Sequence, residues 1–435
     1  MVAPEGGRDD GRVTFLEVAC DESGSDGENL ISGNTDVFAH AGVCVAGDAA
    51  AGALREIRGR IRSPAEEYKA NHLLREKHRA VLEWLLGPAG PLHGHASVHL
   101  VDKSYFVLLA VLDVLDGGPA AAATAAALYR EGRGAVEPSR WRAFLRAGND
   151  LVRRRNHEDG EAPVDAFYRA LEELRPAPGG EAGSSGVLGV LRRARPRAEA
   201  FRERLAAEPG AVEPLDPLFP ALERTVARWG EGGAPVHIVH DRQNALTEER
   251  ITRLGASLPP GRRLAGLRLA ESRHDARIQL ADFLAGVARK LASDELAGRG
   301  DPVLTGLLRP YVDPLTVWGD ERSWSRLGPA PSATGVRPAP PEPAPLSLVA
   351  RYAGTAPLPA SPVPVVTPSG GRPSGRGRPR ERGDRSAPEP ADGRGATVDA
   401  HDPAAGFRPG QDTAEGRVQH CQRRAASPQG RQAKT

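Results

Sequence analysis

The chain has 435 residues, enough for two or three average domains, and its 40% hydrophobic and 26% charged content is that of a globular protein. Its net charge of +2 hides a division: 15 Lys+Arg against 9 Asp+Glu follow Gly328, whereas 43 face 47 before it, so the body is mildly acidic and is no basic nucleic-acid coat. Three cysteines without a C-x-x-C pair exclude a disulfide framework, and no apolar run reaches the ~18 residues of a membrane span. The Gly-rich, charged stretch from Met1 to Arg12 has no signal-peptide core, so a cytoplasmic, non-membrane protein is expected, with a flexible N-terminus over 1–12.

In chain order, the apolar run from Val13 to Ala19 predicts a strand that closes on the turn-like Cys20-Asp21-Glu22-Ser23-Gly24. After a polar stretch, Val37 to Val45 predicts a second strand paired with the first as a hairpin or meander. Leu54, Ile57 and Ile61 recur at helical spacing, and Leu73, Leu74, Val81, Leu82 and Leu85 predict a further helix from about Glu66 to Leu86. A third strand is expected over His95 to Val101 and a helix from Ser104 to Leu115.

Residues 117–232 carry helical patterns with polar breaks and no strand of convincing length, which predicts a helical insertion, a cap or a surface for a protein partner. It separates a first core segment, 13–116, from a second, 233–328. Strand character returns at Pro235 to His240 and again at Leu264 to Leu269, with a helix at Leu246 to Leu254 between them. Asp275 to Leu291 predicts a long helix with Ile278, Leu284, Val287, Ala288 and Leu291 on its apolar side. From Pro329 to Thr435 the chain is rich in Pro, Gly and Arg without periodicity, which predicts disorder.

The chemistry-bearing residues of the body are acids. Asp21 closes the first strand, Asp241 closes the strand that follows the helical block, and Asp275 and Asp282 stand seven residues apart on the last long helix. Two helical turns are about 7.2 residues, so those two share a face. Clustered carboxylates repel one another unless a cation neutralises them, and oxygen ligands suit the hard ions Mg²⁺ and Mn²⁺. Ions held in this way can activate water for phosphodiester hydrolysis. The alternative use of the same residues is ordinary capping and turn formation.

Asp21-Glu22-Ser23-Gly24, the Glu67-x-Lys69 pair, and Ser272 with Ile278-Gln279-Leu280-Ala281-Asp282 resemble the domain-of-unknown-function family numbered 3800. The resemblance covers roughly residues 13–290 and leaves the helical middle and the tail outside. It implies an RNase H-like α/β fold, a mixed sheet with flanking helices, in which acids from the first strand, a central strand and a C-terminal helix converge. It further implies a nuclease-type centre using Mg²⁺ or Mn²⁺. Asp21 would be the first-strand ligand with Glu22 beside it, Asp241 the central-strand acid and Asp282 the helix ligand, with Asp275 in reserve. Lys69 would contact a phosphate or balance the acids. The expected function is therefore metal-dependent phosphodiester hydrolysis on nucleic acid; the alternative is a catalytically silent RNase H-like binding or scaffold protein.

Lys103, which follows the third strand, is a second candidate for phosphate contact, and a solvated charge pair is the plainer reading of both lysines. His93, His95 and His99 fall on one side of an extended chain but lack a fourth ligand for zinc, so a polar surface edge is expected. His240 and His274 each precede an acid and are secondary candidates for general base. Cys20 and Cys44 fall in predicted strands and should pack in the core. In the tail, Gly375-Arg376-Gly377-Arg378-Pro379 resembles the AT-hook, whose arginines enter the minor groove of DNA; coincidence in an Arg-biased tail is the competing reading. No phosphate-binding P-loop is present, which argues against a nucleotide-driven motor.

Overall fold

Strand β1 (Leu16–Ser23) lies at the centre of a five-stranded sheet and takes its neighbours from both ends of the core. The computed structural model describes residues 15–62, 69–118, 120–154, 156, 161–174, 183–207 and 215–329. The flexible N-terminus expected over 1–12, Glu67, the AT-hook-like Arg376 and Arg378, and the disorder expected beyond Pro329 all lie outside the described residues.

The first core segment contains β1, β2 (Val37–Val43), α1 (Gly47–Ile61), α2 (Ala70–Leu73), α3 (Arg79–Leu86), β3 (Ala96–Asp102) and α4 (Lys103–Leu115). The helical block contains α5 (Ala121–Ala135), α6 (Pro138–Val152), α7 (Pro163–Glu173), α8 (Gly183–Arg193), α9 (Arg195–Ala207) and α10 (Leu218–Trp229), with no strand among its described residues. The second core segment contains β4 (Val236–Asp241), α11 (Glu248–Ser257), β5 (Leu264–Ala270), α12 (Ala276–Leu296), α13 (Pro302–Leu308) and α14 (Glu321–Leu327).

The sheet order is β3-β2-β1-β4-β5. The first three strands form an antiparallel meander, and β4 and β5 then add parallel to β1, so the sheet is mixed. Parallel addition needs a crossover, and the helical block supplies a long one between β3 and β4. β1 runs further than its apolar residues suggested. Cys20 to Ser23 pair with Gly42 to Ala39 of β2, so backbone groups that a turn would leave open are satisfied in the ladder. The turn comes at Gly24, which takes φ +85°, and a Cβ there would run into the Val37 carbonyl.

Side-chain alternation along the strands builds two cores. Val18 and Cys20 of β1, Phe38 of β2 and Ile238 of β4 pack toward α4, α6, α7 and α10. Ala39, Ala41, Val98 and Leu100 pack on the other face against α1, α3, α12, α13 and α14. α4 is buried on nearly every side, which explains why its sequence is apolar all round. The helix expected from Glu66 to Leu86 is interrupted: Arg75 is extended, and a 3₁₀ turn at Glu76–His78 separates α2 from α3. That break lets Leu73 and Leu85 reach the same core from different directions. Cys20 and Cys44 are core residues, as expected. Among the described residues no helix is long and apolar enough to cross a membrane.

Candidate active site

Three carboxylates come from three elements. Asp21 and Asp241 sit at the C-terminal ends of the adjacent parallel strands β1 and β4, and both belong to the strand positions that face α12. α12 crosses that face parallel to β1. Arg277 pairs with Glu17, Ile278 packs on Ala19 and Val239, and Arg289 donates to Ser23 Oγ at 3.0 Å. Asp282 therefore passes over the end of β1 beside Asp21. Gly286 allows the approach of α2 one turn further on, since a Cβ there would strike Ala70.

Asp21 is only 7% exposed. Burial, reinforced by the charges of Glu22, Asp282 and Asp241, pushes its carboxyl up from 3.8 to about 8, although its Oδ1 accepts a hydrogen bond from Glu22 N at 2.8 Å. Each remaining acid has a protein partner. Asp241 Oδ1 accepts from Ser272 N at 2.9 Å, and Asp282 Oδ2 lies 3.5 Å from Lys69 Nζ. Lys69 stands at the start of α2, half exposed, so the lysine expected to balance the acids is placed beside one of them.

Other expected site residues fall elsewhere. Glu22 alternates to the opposite face of the sheet, where Gln243 Nε2 donates to it and His240 Nε2 is 3.5 Å away. Asp275 caps α12 through Arg277 N and forms a two-pronged ion pair with the Arg277 guanidinium, with Arg268 nearby. Burial alone would raise its carboxyl, but Arg277 outweighs that and holds it low, so Asp275 is spoken for as a cap. Lys103 is fully buried. It donates to Asp26, to Thr35 O at 3.1 Å and to Thr35 Oγ1 at 2.6 Å, which occupies all three of its N–H donors and leaves none for a phosphate. His274 is 70% exposed beside Glu271.

Two histidines are more deeply placed than the sequence suggested. His99 is buried in β3 rather than lying on a polar edge, with Nδ1 3.7 Å from Asp313. His240 is fully buried, and its Nε2 lies 3.3 Å from that of His40. His40 was not anticipated; the clue was a polar residue in the otherwise apolar run Val37 to Val43, every position of which is buried.

The donor set at Asp21, Asp241 and Asp282 consists of hard oxygens, the type suited to Mg²⁺ or Mn²⁺. As the side chains stand they are turned to protein partners, and among the described residues no group of three or more His, Cys, Asp or Glu is gathered closely enough to hold a metal ion. A cleft of about 620 Å³ opens away from these acids, between the 30–36 loop, α5, α6 and the end of α12, with Asp102, Tyr129, Arg133 and Trp141 on its walls. Comparison with protein-family models, with curated proteins and with solved structures finds no match to this chain.

Proposed function

We propose that the chain is a metal-dependent hydrolase of phosphodiester bonds in nucleic acid, built on an RNase H-like sheet, with Asp21, Asp241 and Asp282 as its carboxylate centre. The observation that carries the reading is Asp21: a buried carboxyl raised to about 8 by burial and by the charges of three other acids. Perturbation of this kind, at the meeting point of two parallel strand ends and a helix, is how functional carboxylates are arranged. The placement of the acids on the first strand, on the strand beside it and on the last long helix is also the one that the sequence resemblance implies.

A bound Mg²⁺ or Mn²⁺ would supply Lewis-acid stabilisation of the phosphoryl oxygens and a water of lowered pKa. The residues of this chain set the rest. Ser272 N fixes the Asp241 carboxylate, Lys69 offsets the charge of Asp282 when no cation is present, and burial keeps water from screening Asp21. Lys69, half exposed beside Asp282, would be the side chain that meets a substrate phosphate.

One observation favours the second reading, a catalytically silent binding or scaffold protein: the acids are not gathered into a ligand group as they stand. Cleavage of labelled single- and double-stranded DNA and RNA in Mn²⁺ or Mg²⁺ separates the two. The hydrolase reading expects cleavage that Asp21→Asn and Asp282→Asn each abolish without lowering the melting temperature. Nucleic acid left intact by the wild type would leave the scaffold reading in its place, and full activity in either variant would overturn the assignment of that carboxylate.

A further inference from the structure

On the face of the sheet opposite α12, a line of buried polar atoms leads from the helical block to the end of β4. Thr225 on α10 is 6% exposed, His40 1% and His240 0%. Thr225 Oγ1 lies 3.3 Å from His40 Nδ1, His40 Nε2 lies 3.3 Å from His240 Nε2, and His240 Nδ1 lies 2.9 Å from the main-chain oxygen of Asp241. The ring planes lie within 23° of parallel with centroids 5.3 Å apart, and the two Nε2 atoms make the polar contact between them.

One atom sets the polarity of the whole line. A carbonyl oxygen only accepts, so His240 carries a hydrogen on Nδ1 and, as a neutral ring, offers a bare Nε2. His40 must then donate from Nε2, which leaves its Nδ1 bare, and the Thr225 hydroxyl must point to it. The competing acceptor for that hydroxyl is Ala221 O at 3.1 Å. If the hydroxyl turned there, His40 would carry its hydrogen on Nδ1 and two lone pairs would oppose each other across 3.3 Å in a site closed to water. Burial, with the adjacent His240 and His99, holds His40 well below its ordinary pKa, in keeping with a neutral ring. Glu22 Oε2, 3.5 Å from His240 Nε2, offers the other arrangement, in which His240 donates from Nε2 to the carboxylate.

We propose that His40 and His240 are positioning residues of the acid centre: a directed hydrogen-bond chain, Thr225 to His40 to His240 to the Asp241 carbonyl, ties the end of β4 to the helical block and so aims the Asp241 carboxylate toward Asp21. The inference rests on the proposed acid centre and adds that the insertion controls it. The strand ladder holds the β4 backbone at His240 and Asp241, and Ser272 N holds the Asp241 carboxylate; the chain adds a tie from the opposite face of the sheet.

The test uses the full chain with Thr225→Val, which keeps shape and loses the hydroxyl, and Thr225→Ser, which restores it. Long-range ¹H–¹⁵N correlation of the imidazole nitrogens reads the tautomers, and calorimetry with Mn²⁺ alone reads the centre. The expected result is His40 hydrogenated on Nε2 and His240 on Nδ1, with Thr225→Val releasing the His40 tautomer and weakening Mn²⁺ binding about tenfold, and Thr225→Ser recovering both. His40 hydrogenated on Nδ1, or His240 donating from Nε2 to Glu22, overturns the chain. The expected tautomers with Mn²⁺ affinity unchanged in Thr225→Val overturns the positioning role. A wild type with the expected tautomers and no Mn²⁺ binding overturns the metal centre, and the positioning role falls with it although the chain of hydrogen bonds stands.

Discussion

Asp21 is a buried carboxyl, and the sign of its effect on stability follows from its raised pKa. A carboxyl that titrates near 8 in the fold and near 3.8 in the unfolded chain binds its proton more tightly when folded. The fold is therefore favoured by protonation here, and its stability falls as pH rises from about 4 to about 8. In chelator-treated protein, the melting temperature of Asp21→Asn should stand above that of wild type at pH 8.5 and converge with it near pH 4. If a cation occupies the centre, Mn²⁺ should raise the wild-type melting temperature at pH 8.5 and leave that of Asp21→Asn unchanged. Lys69 gives a contrasting prediction. Its pairing with Asp282 is half exposed, so Lys69→Met should change stability in urea by less than about 1 kcal/mol, while the hydrolase reading expects cleavage activity to fall with the loss of its charge. At this scale the resemblance grouped Asp21, Asp241, Asp282 and Lys69, with Glu22 and Asp275 in the same set. The sequence did not show that Glu22 faces away, because the first strand was expected to close before it, nor that Lys103 is locked inside, because alternation does not say what covers each face.

Among the elements, α10 is fastened to the sheet edge by more than apolar contact. Arg224 Nε and Nη2 each donate to the Asp313 carboxylate at 3.0 Å, and the backbone beside Asp313 bridges β3 at Val98↔Val312. Burial pushes the Asp313 carboxyl up, but His99 and Arg224 outweigh it and hold it well below the usual carboxylate range. A depressed carboxyl stabilises the fold at pH above its ordinary value of 3.8, and the contribution is lost as pH falls through the folded value. Arg224→Met should cost about 3 kcal/mol at pH 7 by urea unfolding, since it takes the guanidinium from a buried carboxylate, and the deficit should shrink below about pH 3. An equal deficit at both pH values would show that packing, not charge, is what Arg224 provides. The elements themselves were mostly legible: β2, β3, β5, α4 and α12 follow the apolar periodicities of their sequences within a few residues. The break between α2 and α3 was not, because Leu73, Leu74, Val81, Leu82 and Leu85 keep helical spacing across it and only the packing of both pieces on one core requires the turn.

For the whole molecule, the central sheet separates two apolar cores that share few side-chain contacts but one backbone. Ile57 on α1 and Ile238 on β4 are fully buried in different cores. Ile57→Val and Ile238→Val should each cost about 1 kcal/mol, and the double variant should show their sum to within about 0.5 kcal/mol in a single unfolding transition. Two separated transitions would mean that the helical block and the meander unfold independently. What the sequence by itself determined is local: which stretches are apolar on one face, on two faces or on none, where a glycine-containing turn follows a strand, and which carboxylates end strands or share a helical face. Those follow from periodicity and from single-residue chemistry. What only the tertiary structure decided is which face each side chain meets and what lies beyond it. The parallel addition of β4 to β1 brings Asp241 next to Asp21, and the same addition brings His240 to His40, 200 positions away. No local property of either residue encodes that distance; it is fixed by strand order and register, which the chain settles only when both faces of the sheet are covered at once.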